Sequence, residues 1–203
     1  MRSNHRNYVV CVATAAFAIA PIALCASELT AQDTIVQFDP GQTKVEFTLA
    51  DVLHTVHGEF RLKQGAIHFD PSTGAASGAL VIDATSGNSG SGARDSRMQK
   101  NVLESKKYPD ITFEPHHFTG HFAADGESDL QVEGTFTIHG APHPMTLPAK
   151  VISKGGVVTV ETHFVVPYVQ WGMKDPSNFL LHVSNKVDIA IKATARLQPP
   201  AAS

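Results

Sequence analysis

The sequence predicts an all-β fold, an antiparallel sandwich or closed barrel carrying one short helical segment, on three observations. Apolar and polar residues alternate with period two in run after run, as in strands with one dry and one wet face. Short turn signatures, DPGQ, DPSTG, ADGES, HGAPHP and SKGG, separate those runs. Only RDSRMQKNVLESKKYPDITFEP, Arg94 to Pro115, interrupts the alternation, whereas a parallel α/β sheet would require several helical crossovers.

The chain opens with Arg2 and Arg6 ahead of an uncharged apolar run, Tyr8 to Ala26, which Pro21 breaks and SELTAQD follows. This is the pattern of a secretion signal over residues 1–31, with cleavage expected after Ala26 or Ala31. A single domain is expected over 32–198, and a disordered tail over 199–203. Cys11 and Cys25, the 2 cysteines, both fall in the signal, so neither a disulfide nor a thiolate metal site is expected of the remainder. The whole chain has 16 basic and 19 acidic residues, a net charge of −3. Loss of Arg2, Arg6 and Glu28 would leave it acidic, which argues against nucleic-acid binding.

In TKVEFTLA, Val45, Phe47 and Leu49 alternate with Lys44, Glu46 and Thr48; in VHGEFRLK, Val56, Phe60 and Leu62 oppose His57, Glu59, Arg61 and Lys63. Further strands are expected over 67–70, 78–84, 111–118, 130–140, 145–153, 157–168 and 186–197. TSGNSGSG, 85–92, reads as a flexible loop leading into a helix around 93–105. Met98, Val102 and Leu103 give that helix a narrow apolar stripe, and Pro109 returns the chain to extended geometry. Arg94, Arg97, Lys100, Lys106 and Lys107 outnumber Asp95 and Glu104 along it. A solvated helix face is the plain account of those charges; a positive rim for an anionic head group is the sharper one.

The 11 histidines raise a metal site. His54 and His57 are three apart, and His116, His117 and His121 form HHFTGH. On a continuous strand, however, His117 and His121 would stand about 13 Å apart, too far to share a zinc ion unless Thr119-Gly120 turns. There is no H-E-x-x-H, no G-x-S-x-G and no phosphate-cradling loop, so catalytic and metal residues are both expected to be none. What remains is the lumen. Phe47, Leu49, Phe60, Ile82 and Phe113 belong to dry faces, as do Phe136, Ile138, Phe164 and Val166. A barrel of about eight strands either fills its lumen with such side chains or holds one small apolar ligand there.

The ordered set FDPGQTKVEFTL, HGEFRLKQGAIHFDP, RDSRMQKNVLESKKYPDITFEP, VEGTFTIHGAPHPMTLP, YVQWGM and VSNKVDIAIKATA resembles the YceI-like family of periplasmic, lipocalin-like lipid-binding proteins, from about Thr34 to Leu197. The resemblance implies an eight-stranded antiparallel lipocalin-like barrel whose lumen holds an isoprenoid, quinone-like or fatty chain. It implies a non-catalytic carrier or sequestering protein, for transport, storage or sequestration, in the periplasm of a Gram-negative bacterium, with no required cofactor and a hydrophobic small-molecule partner. Stable membrane insertion is not expected after signal cleavage, and a homodimer stays open. With the dry-face residues it adds Met98 and Trp171 to the expected lining. Val102 and Leu103 stand where the family usually carries a phenylalanine pair. The alternatives are a filled barrel acting as a stress-response or protein-interaction module, and a His-ligated metal-binding protein.

Overall fold

A computed structural model describes residues 34–50, 55–177 and 182–198. The expected signal at 1–31, the tail at 199–203 and His54 lie outside them. The strands are β1 (Thr34–Phe38), β2 (Lys44–Ala50), β3 (Thr55–Phe69), β4 (Ala76–Asn88), β5 (Asp110–Thr119), β6 (Gly126–Ile138), β7 (Ala141–Lys154), β8 (Val157–Val166) and β9 (Val187–Gln198). Every pairing is antiparallel, and the order β3-β2-β9-β8-β7-β6-β5-β4 closes on itself through β3–β4. β1 fills the place of β2 at the far end, pairing with β3 at Thr34–Gln37 and with β9 at Ile35–Phe38. The two are halves of one strand position, broken where Asp39 caps a single 3₁₀ turn at Pro40–Gln42. The result is the expected eight-stranded antiparallel barrel with one short helix.

Strand β1 is not among the strands expected from sequence, and several strand ends shift by two to four residues; three of the differences have a clear physical reason. The runs at 56–62 and 67–70 belong to one strand, because register shifts at Glu59/Arg61 and Leu62/Gln64 let β3 bend and keep the same dry face inward. TSGN is strand and not loop, since Asn88 pairs with Glu59. APHP is also strand, and its prolines shape the wall. Pro142, Pro144 and Pro148 stand opposite Thr137, Thr135 and Gln131 of β6. Lacking an N–H, they can occupy only the positions that do not bond to β6, so their missing donors face β8. The β7–β8 ladder accordingly covers only Lys150–Lys154 against Val157–Glu161. Beyond that the two strands part.

The barrel is filled at one end. Val36, Phe38, Leu62, Phe69, Phe118, Leu130, Leu147, Val151, Val158 and Ala195 are buried together there. Phe69 meets Phe118 and Phe122 edge-on, with ring centroids 5.5 and 4.9 Å apart. Asp70 follows at that end, its carboxylate accepting from Ser72 and Thr73, which hold its pKa below the ordinary carboxylate value. Outside, Lys192–Glu161 and Lys63–Asp110 pair at 2.7 and 3.0 Å. As exposed pairs, screened by water, they add little stability and chiefly keep the wall wet.

Gly134 marks the level where filling stops being tight. A Cβ there would sit 2.6 Å from the Glu114 carbonyl oxygen and 2.7 Å from the Phe113 ring, so only glycine lets that ring lie flat on β6. Gly134→Ala is expected to destabilise the barrel by about 1–3 kcal/mol, read as a lower urea midpoint with unchanged slope.

Candidate functional site: a hollow end of the barrel

At the other end, where β2, β4, β6 and β8 finish, the lumen opens into a cavity of about 480 Å³. The helical segment reaches over it. Gly92–Arg97 form a short α-helix (α1), which widens into a π turn at Met98–Val102, with the Leu103 N–H bonding back five residues to the Met98 carbonyl at 2.9 Å. The wider turn brings Met98, Val102 and Leu103 all to the cavity. Gly87 makes room for this, because a Cβ there would lie 2.5 Å from Met98 Cε and 2.6 Å from Phe60.

Polar contacts pin this cover at both ends. Ser89 donates its N–H to Asp95 at 2.9 Å, and Arg94 donates to the Ser89 hydroxyl and carbonyl, both at 2.7 Å. At the far end Glu104 Oε2 lies 2.7 Å from His139 Nε2. These two residues hold left-handed backbone, φ 46° and 54°, and are the two non-glycine residues with positive φ among the described residues. Such conformations cost energy unless the surroundings impose them; here each imposes on the other, tying the cover to the β6–β7 turn.

Of the residues expected from sequence, Phe47, Leu49, Phe60, Ile82 and Met98 line the cavity, together with Phe136, Ile138, Phe164 and Val166. Phe113 and Trp171 do not. Phe113 points inward but sits over Gly134, in the packed part. Trp171 lies in the turn after β8 and stacks on His143, with centroids 3.9 Å apart and planes 7° apart. It stands 6.0 Å from Phe136, filling the parting between β7 and β8 instead of the cavity. Sequence reasoning missed Val45, Val56, Ile111, Val187 and Ile189, whose strand parity was available, and Arg94, Arg97, Tyr168 and Met173, whose place depends on tertiary structure.

The lining is apolar except at its mouth. Tyr168 donates its hydroxyl to the Ser184 carbonyl at 2.7 Å. Burial, aided by the Asp175 charge, pushes its phenol up to about 12, so it stays a neutral, satisfied wall. The Thr119-Gly120 step does turn, with Gly120 at φ 112°, yet among the described residues no three His, Cys, Asp or Glu side chains converge as a metal centre would require. Nor is any described helix long and apolar enough to cross a membrane.

A hollow, closed, eight-stranded barrel with this strand order has known counterparts. Residues 37–195 match the YceI-like domain. The chain belongs to the YceI-like family. It is 25% identical to a UPF0312 protein of Vibrio cholerae over 128 residues, 62% of this chain and 66% of that protein. It is 32% identical to Protein YceI of Escherichia coli over 102 residues, 49% of this chain and 51% of that protein. The match thus spans between half and two thirds of these YceI relatives. Two solved structures share the fold: BcnA of Burkholderia cenocepacia, with TM-score 0.64 at 21% identity over 78% of this chain and 99% of that one, and a polyisoprenoid-binding domain from Saccharophagus degradans, with TM-score 0.65 at 16% identity over 80% and 98%.

His143 gives a pH signature to this wall. Its Nε2 is covered and has no hydrogen-bond partner among the described residues, and burial lowers its pKa from the usual 6.5. The unfolded chain therefore takes up the proton first as pH falls. Stability conferred by neutral, partly buried His143 is complete above 6.5 and is lost as pH drops below that value toward the folded pKa. Urea unfolding across that range is expected to show this loss, and His143→Phe, which keeps a ring on Trp171, is expected to flatten it.

Proposed function

We propose that the hollow end holds the apolar chain of an isoprenoid, quinone-like or fatty amphiphile, and that the protein is a non-catalytic carrier or store for it in the periplasm. The observation that carries this reading is the cavity itself. Its volume, about 480 Å³, falls within the range of about 300–1,000 Å³ typical of small-ligand sites. Its wall is made of Phe, Leu, Ile, Val and Met, with polar groups gathered at one end. Kinship with a polyisoprenoid-binding domain supports the same class of ligand. The periplasmic part of the reading rests on the family resemblance and on the signal-like segment 1–31.

Magnitudes favour binding without chemistry. A chain burying about ten methylenes gains about 8 kcal/mol at about 0.8 kcal/mol each. Loss of translational and rotational freedom opposes this by about 4–15 kcal/mol. The two terms are of similar size, so the tail alone binds weakly at best, and a preformed apolar cavity keeps the remaining ordering cost low.

Organic extraction of the purified protein, followed by mass spectrometry, is expected to release a long-chain amphiphile in near-stoichiometric amount. Leu49→Trp and Ile138→Trp fill the cavity and are expected to release little of it, at a stability cost of about 1–3 kcal/mol. The reading fails if the wild type yields no lipid and the delipidated protein takes up no long-chain probe.

A further inference from the structure

An apolar chain accounts for the wall of the cavity and leaves the chemistry of its mouth unused. Among the described residues, the charged ones in the lining are Arg94 and Arg97, with no Asp or Glu among them. Their situations differ. The guanidinium of Arg94 is committed to Ser89, donating from Nε to the hydroxyl and from Nη2 to the carbonyl. Arg97, three residues on, has no hydrogen bond or ion pair with any described residue. The nearest acidic neighbour in sequence, Asp95, is occupied by the N–H and hydroxyl of Ser89. The other lysines of the segment, Lys100, Lys106 and Lys107, do not reach the cavity.

We propose that Arg97 receives an oxyanion, the carboxylate or phosphate head of a bound amphiphile, so that the protein selects anionic chains over neutral alcohols or hydrocarbons. The inference deepens the lipid-binding reading and rests on it. The placement suits the task, because Arg97 and Met98 are consecutive and both border the hollow: one meets the head and the other the chain. Guanidinium suits it too, being permanently charged and presenting a planar fork that matches two oxygens of a carboxylate or phosphate. The remaining polar groups are poor rivals. Tyr168 spends its proton on Ser184, Ser89 is engaged through its N–H, hydroxyl and carbonyl, and Ser91, whose hydroxyl makes no cap, is uncharged and can only supplement the guanidinium. Arg97 is itself exposed, so the head stays at the water boundary and no charge has to be buried, which avoids the penalty that an interior ion would carry.

The test uses delipidated full-length protein and matched probe pairs, hexadecanoate with hexadecanol and farnesyl phosphate with farnesol, plus inorganic phosphate alone. Both acids are expected to bind about tenfold more tightly than their alcohols, the yield of one charge-assisted contact at a half-wet site. Inorganic phosphate alone is expected to bind negligibly. The preference is expected to shrink as salt is raised, a response that a purely structural arginine would not give. Arg97→Gln is expected to abolish the preference, with acid and alcohol then bound alike; Lys100→Gln, outside the lining, is expected to keep both the preference and alcohol binding. Equal binding of acid and alcohol by the wild type, with both bound, overturns the head-group assignment and leaves the lipid-binding reading standing. Failure to bind any of the chain probes overturns both. If Arg97→Gln does not fold, the wild-type preference and its salt dependence still decide.

Discussion

β3 bonds to β4 along most of its length, while its other edge is covered first by β2 and then by β1, so the sheet is left with no free edge on that side. This closure is what turns period-two alternation into an inside and an outside. Once eight strand positions meet in a ring, every inward residue faces one lumen, and apolar burial of about 25 cal/mol per Å² has somewhere to act. Both cysteines precede the described residues. The barrel is therefore held by its ladder and its core, without a covalent staple.

The closed ring does not fill evenly. At the end beneath β1, large and small side chains interlock, and Ala195 and Val158 are 0% and 1% exposed. Toward the other end the inward residues are as apolar and touch in pairs, Phe47 with Phe60 and Phe136 with Phe164, but they leave a hollow between them that a short helix covers. The cover is tied down by polar contacts at its two ends, Arg94 and Asp95 to Ser89 and Glu104 to His139. Its apolar middle therefore remains turned to the hollow without a filled core behind it. The wall is made interruptible in a similar way. Three prolines end the β7–β8 ladder, and Trp171 on His143 takes up part of the space with an aromatic stack.

Most of this fold was legible in the sequence because parity is local: Val45, Phe47 and Leu49 announce an inward face without reference to any other strand. Parity does not report height along the barrel axis. Phe113 and Phe136 pair directly and share the inner face, yet Phe136 borders the hollow and Phe113 lies in the packed part, because Gly134 seats its ring. That distinction comes from register and from closure, which are non-local. Trp171 misled for a related reason. The family resemblance put it in the expected lining, but the parting that it fills exists only once β7 and β8 are side by side. The prolines of APHP carried that information, although as residues of a turn-like string they pointed to a loop. The two arginines were visible as charges; only the π turn at Met98–Val102 fixes which of five basic residues reach the mouth.

The central claim is that one end of the lumen is packed and the other is a receptacle. A crystal structure of the protein loaded with a brominated long-chain fatty acid tests it most directly. The bromine signal is expected among Phe47, Phe60, Phe136 and Phe164, with the carboxylate at Arg97 and no ligand density among Leu62, Leu147 and Val158. A chain threaded through that packed half, or laid on the outer wall with the hollow empty, would contradict the account.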